Sequence, residues 1–82
     1  MTLTQLNYIV ALGQHRGFGL AATSCFVTQP TLSMQVQKLE EELGVIVFDR
    51  SQQPVRPTAV GEQIIAQARV VLAEAQKIHQ RR

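Results

Sequence analysis

Tryptophan is absent from this chain of 82 residues, cysteine occurs once, and the aromatic content is one tyrosine and three phenylalanines. A lone Cys25 excludes an internal disulfide and has no second cysteine with which to form a metal or redox motif. His15 and His79 lie far apart, and no set of His, Cys, Asp or Glu has the spacing of metal ligands, so no metal and no cofactor are expected. There is no Gly-rich phosphate loop and no nucleophile, base and orienting group at a distinctive spacing, which argues against an enzyme. No apolar run approaches the ~20 residues that a bilayer requires. The opening Met-Thr-Leu-Thr-Gln-Leu-Asn has neither the charged nor the apolar segment of a secretory signal, so a cytoplasmic location is expected.

Charge of one sign is also scarce. The net charge is +2, and up to Thr58 the basic Arg16, Lys38, Arg50 and Arg56 are balanced by Glu40, Glu41, Glu42 and Asp49. The small excess comes from Arg69, Lys77, Arg81 and Arg82 against Glu62 and Glu74. Charge alone does not mark a nucleic-acid partner, and any such reading has to rest on geometry.

What is present is helical punctuation. Leu3, Leu6, Ile9 and Val10 recur at threes and fours behind a capping threonine, predicting a first helix closed at Gly13. The stretch "HRGFG" reads as a turn, with Gly17 as an N-cap. Phe18, Ala21, Ala22 and Cys25 then share one face of a short second helix, whose alanines let a neighbour approach closely. Thr28 caps a third helix with Pro30 in its first turn, where a missing amide hydrogen costs nothing, and Gly44 stops it. "VIVFDR", "SQQP" and "VRPT" predict a small hairpin, with Pro54 and Pro57 constraining it. Thr58 caps a long helix running to the end. Helix, helix, tight turn, helix and hairpin form the order of a winged helix-turn-helix, a mainly α fold. The expected division is a winged domain over residues 1–58 and a linker helix over 59–82.

The third helix divides unevenly between its faces. At ~100° per residue from Leu32, the core-facing Val36, Leu39 and Leu43 fall within about 40°, while Met34 lies at about 200° and Lys38 at about 240°. On the same wheel Pro30, Thr31 and Gln37 also fall on the side away from Leu32. Glutamine pairs with adenine, hydroxyls with bases or phosphates, and an exposed apolar side chain such as Met34 meets a thymine methyl. The helix N-terminus adds free amides for phosphate oxygens. Glu40, Glu41 and Glu42 lie about two turns further on, where such a helix would be leaving a groove. Periodicity alone reads equally well as a solvated polar face.

A resemblance decides between these readings. "AATSCFVTQPTLSMQVQKLEEELGVIVFDR" followed by "PTAVGE" resembles the N-terminal DNA-binding region of LysR-type transcriptional regulators over essentially the whole chain. The paired alanines, the Gln-Pro-x-x-Ser opening, the Leu-Glu-x-x-Leu-Gly exit, the Phe-Asp-Arg strand and the Thr-x-x-Gly-Glu start all stand in register. "HRGF" and "SCFVTQPTLS" are most similar to the peroxide-sensing OxyR branch of that family. The resemblance implies contact of Thr28, Gln29, Pro30, Thr31 and Ser33 with bases and phosphates, continued by Gln35 and Lys38. It places Met34 at a position that tunes site preference, Arg50 at the end of the first wing strand, and Thr58 near the DNA backbone. Many relatives carry extra Arg or Lys at the wing tip. Here the tip is Gln52, Gln53 and Pro54, leaving Arg50 and Arg56 as the wing cations. The resemblance further implies an effector-binding domain, which these residues do not contain, so this chain alone is expected to bind DNA without responding to ligand or peroxide. Its sensing cysteines belong to that other domain, and Cys25 is expected to be a small apolar core residue.

Ile64, Ile65, Ala68, Val71, Leu72, Ala75 and Ile78 form a stripe close to the 3.5-residue period of a coiled coil. The stripe could instead pack on the chain's own domain, but a helix of ~24 residues is ~36 Å long and would overrun it. A homodimer through this helix, presenting two third helices to an inverted repeat in double-stranded DNA, is the expectation, and the resemblance agrees. A winged fold that seats its third helix on another protein is the alternative. Steep salt dependence would separate the two.

Overall fold

The computed structural model describes residues 1–81; Arg82, the last residue of the expected linker helix, lies outside them. The elements follow one another as α1 (Leu3–His15), α2 (Phe18–Ser24), α3 (Gln29–Leu43), β1 (Phe48–Asp49), β2 (Arg56–Pro57) and α4 (Ala59–Gln80).

A reciprocal capping box opens α1, in which the Gln5 amide donates to Thr2 Oγ1 at 3.1 Å and the Thr2 amide donates to Gln5 Oε1 at 3.0 Å. The helix runs past Gly13, against expectation, and stops at Arg16, which takes a left-handed conformation and donates its amide to the Leu12 carbonyl. Gly13 serves packing instead: a Cβ there would lie 3.1 Å from Ile65 Cδ1 of α4. Gly17 caps α2 in an extended conformation, and Ala21 and Ala22 are buried where α2 meets its neighbours. The turn that follows contains Phe26 at φ 60°, with its ring in solvent. Thr28 then caps α3 with Pro30 in the first turn, and Gly44 ends it at φ 70°, a conformation that favours glycine.

Leu6, Ile9 and Leu12 of α1 meet Leu32, Val36 and Leu39 of α3 in the core, which Val47, Phe48 and Val55 close from the wing side. Leu43 departs from the predicted core face and remains 38% exposed in the last turn of α3. The residue that draws the chain back beneath that turn is Glu40, whose carboxylate accepts the amides of Val47 and Phe48.

The wing is shorter than the β-branched run suggested. Only two residues on each side pair, antiparallel, with Phe48 opposite Pro57 and Asp49 opposite Arg56. Val47 is buried by packing, not by strand pairing. At the turn, the Ser51 hydroxyl and amide both donate to Asp49 Oδ1 and hold that carboxyl below its ordinary value. What this contact adds to stability is present above the ordinary carboxylate range and is lost as pH falls through the lowered value.

Thr58 and Gly61 join the wing to α4 without a loop. The Thr58 hydroxyl accepts the Gly61 amide at 2.9 Å and donates to the Ile46 carbonyl at 2.6 Å. Gly61 is buried against Val47, whose carbonyl carbon would lie 2.9 Å from a Cβ at that position.

The apolar stripe of α4 divides in two, which corrects the single seam expected. Ile65 and Ala68 are buried in the chain's own core at 6% and 2% exposure, so they are not available to a second subunit. Gly61, Ile65, Ala68 and Leu72 lie within about 60° of one another on that inner side. Ile64, Val71 and Ile78 recur at heptad spacing and are centred roughly 90° away from that side, with Ala75 between the two bands. Ile64, Val71, Leu72 and Ala75 are half-buried, and Ile78 is 73% exposed.

Candidate nucleic-acid interface

The outer face of α3 is built from its first three turns. Thr28, Gln29, Pro30, Thr31, Met34, Gln37 and Lys38 are exposed, and Ser33 is half-buried. The Thr28 hydroxyl donates to the Thr31 hydroxyl at 2.9 Å and accepts the Thr31 amide, which fixes both threonines at the helix entrance. Gln29 runs beside α2, its Oε1 passing Gly19 at 3.7 Å from where a Cβ would stand. Met34 is half exposed at the centre of the face, and no acidic residue occupies the first turn. The dipole and free amides at this end therefore meet an approaching anion without local repulsion.

Three residues of the expected set are engaged elsewhere in the fold. Gln35 is half-buried and accepts a hydrogen bond from Gln5 Nε2 of α1 at 3.1 Å, so its carbonyl oxygen is turned away from the outer face. Thr58 caps α4 and binds the Ile46 carbonyl. Arg50 pairs with Glu40 at 3.0 Å and lies over the Phe18 ring, 5.5 Å from its centroid. Arg56 is exposed on β2, and Arg16 is exposed at the end of α1.

Glu40 is the residue whose role sequence reasoning missed. Within the run Glu40, Glu41 and Glu42 it looked like one of a solvated row, yet its side chain is 7% exposed. The pattern held only a faint signal: Glu40 and Glu42 both lie about 80° from Leu32, on opposite sides, and Glu40 is the one on the side of Val36. An open groove lined by Ser33, Gln37, Glu41, Ile46 and Arg50 separates the outer face of α3 from the wing. Cys25 is half-buried against the core beside Ser24 and lines neither the outer face of α3 nor the groove beside the wing. Among the described residues, no three His, Cys, Asp or Glu side chains come together as a metal site, and no helix is long and apolar enough to cross a membrane.

Residues 3–62 match the family described as bacterial regulatory helix-turn-helix protein, lysR family. The chain is 50% identical over 74 residues to the DNA-binding transcriptional dual regulator OxyR of Escherichia coli K12, covering 90% of this chain and 24% of that protein. It is 47% identical over 77 residues to the regulator EstR of Acinetobacter baylyi, covering 94% of this chain and 26% of that one. The chain thus spans about a quarter of the curated relatives it matches. Among solved structures, a full-length OxyR variant from Pseudomonas aeruginosa superposes with a TM-score of 0.94 at 59% identity, over 98% of this chain and 27% of that one. The BenM DNA-binding domain in complex with benA site 1 DNA superposes with a TM-score of 0.94 at 35% identity, over 98% of this chain and 90% of that one. With the capped third helix, the short wing and the long α4 all in register, this chain belongs to the lysR family of bacterial regulatory helix-turn-helix proteins, and its sequence and structure place it beside OxyR.

Proposed function

We propose that this chain binds double-stranded DNA at an inverted-repeat promoter site, as the reading head of a LysR-type transcriptional regulator akin to OxyR. The observation that carries this reading is the exposed, uncharged N-terminal half of α3, on a fold that superposes on a DNA-bound domain of the same family. Gln29, Pro30, Thr31, Ser33 and Met34 face the bases. Thr28 and the α3 amides meet the backbone, and Lys38, Arg56 and Arg16 supply the phosphate-neutralising charge. The location is the bacterial cytoplasm, at the nucleoid. Residues 1–58 form the head and 59–82 the linker segment, the first three turns of whose helix also complete the core of the head. Two heads pair through the outward band of α4, Ile64, Val71 and Ile78, with Ala75 at its edge. A docking role for α3 on another protein is not favoured, because the family match and the DNA-bound neighbour both point to a duplex.

The test is selection of duplexes from a randomised pool by the 82-residue chain, followed by fluorescence anisotropy on the enriched duplex and a scrambled one. An enriched inverted repeat is expected, with log Kd rising steeply with log salt; three cations per subunit set the slope at about 5 for a dimer. Failure to enrich any sequence would remove the proposal. Gln29→Ala is expected to cost roughly 1–3 kcal/mol on the selected duplex and little on the scrambled one. Equal losses on both would take base reading away from Gln29.

A further inference from the structure

On the reading that this chain binds DNA, we infer that Arg50 serves binding as a positioning residue and not as a phosphate ligand: with the Glu40 carboxylate it fixes the wing against the recognition helix. Glu40 Oε2 accepts the amides of Val47 at 2.8 Å and Phe48 at 3.2 Å, just where the chain enters the wing. Glu40 Oε1 accepts Arg50 Nη2 at 3.0 Å, while Arg50 Nη1 donates to Glu40 Oε2 and to the Phe48 carbonyl, each at 3.3 Å. The guanidinium also rests over Phe18 of α2. One carboxylate and one guanidinium therefore join α2, α3 and the wing at a single point.

Both terminal nitrogens of Arg50 are committed in this arrangement, and a forked guanidinium suits it because its donors are fixed in one plane. Turning Arg50 toward a phosphate would strip a carboxylate that is 7% exposed of its cation. The neighbourhood is also unfavourable to an anion, since Glu41 lines the same groove. Arg50 then contributes to affinity by holding the wing where its other groups reach DNA, and its own charge is already balanced.

Salt dependence separates the two roles. Affinity of the 82-residue chain for the selected duplex is measured by anisotropy at several salt concentrations between about 50 and about 200 mM, well below each variant's melting temperature. Arg50→Ala is expected to weaken binding roughly tenfold at every concentration with the salt slope unchanged, because no phosphate contact is lost. Arg50→Lys is expected to fall short of wild type as well, since one ammonium cannot span both Glu40 oxygens and the Phe48 carbonyl. Glu40→Gln is expected to weaken binding although it removes a negative charge and releases a cation. A slope shallower by about 0.9 per arginine removed would overturn the inference, as would wild-type affinity in Arg50→Lys or tighter binding in Glu40→Gln. If Glu40→Gln does not fold, the two Arg50 variants decide alone. A wild-type chain that binds no duplex would strike the proposed function itself.

Discussion

Gly61→Ala is expected to lower the melting temperature of this domain by roughly 12 °C or more, the equivalent of about 3 kcal/mol in a chain of this length. Gly61 is buried in the first turn of α4, and an added Cβ would be driven into the carbonyl oxygen of Val47. The obstruction is main chain at the mouth of the wing, pinned there by Glu40 and Thr58, so no side chain can swing aside to relieve it. Either α4 tilts away from β2 or the Glu40 contacts break. Gly44→Ala provides the contrast: nothing lies within 4 Å of the added atom, and the cost of about 1–2 kcal/mol is that of a left-handed backbone alone. Thermal melts followed by circular dichroism measure both. A Gly61→Ala melt within about 3 °C of wild type, a change worth less than ~1 kcal/mol, would show that the junction yields easily.

The second large effect concerns assembly. Val71→Asp combined with Ile78→Asp is expected to convert a dimer into a monomer in sedimentation and to weaken operator binding by about 100-fold or more, because linked heads bind with an effective local concentration near the millimolar range. The two positions lie one heptad apart on the outward band of α4, and pairing would bury four new carboxylates per dimer in an apolar seam. Ile78 is 73% exposed and lies beyond the core, so Ile78→Asp alone tests pairing without disturbing the fold. Val71 packs partly against that core, and the double variant is therefore read together with its melting temperature. Unchanged sedimentation in both would remove α4 as the pairing element.

Local chemistry made some of these features legible from sequence. Thr28, Pro30, Gly44 and Thr58 announce helix ends through backbone chemistry local to the chain, a capping hydroxyl, a missing amide hydrogen or a left-handed residue, and the structure places all four at such ends. Long-range partners escaped the same reasoning. Gly13 looked like a helix stop because its contact, Ile65, lies far along the chain in α4, whereas the actual stop at Arg16 carries no compositional signal. Glu40 looked solvated because charge runs usually are, and the donors that satisfy its carboxylate, Val47, Phe48 and Arg50, all come from beyond the end of α3. Gln35 and Arg50 have the right types for DNA contact, but the fold engages each with another side chain first. For the stripe on α4, periodicity identified the apolar positions; only the packing of Ile65 and Ala68 on α1 divides inner from outer.

The junction at Thr58 also has a mechanical side. Helix α4 is 22 residues long, about 33 Å, and springs from the wing with no flexible residue between them. Its first turn is clamped to Ile46 and Val47, and through Glu40 to α3, so helix and head behave as a rigid lever with the recognition surface at its short end. A displacement of about 3 Å at the free tip of such an arm corresponds to a swing of about 5° at the head. In a two-armed assembly, small adjustments far from the duplex would thus reset the angle and spacing at which two recognition helices enter successive grooves.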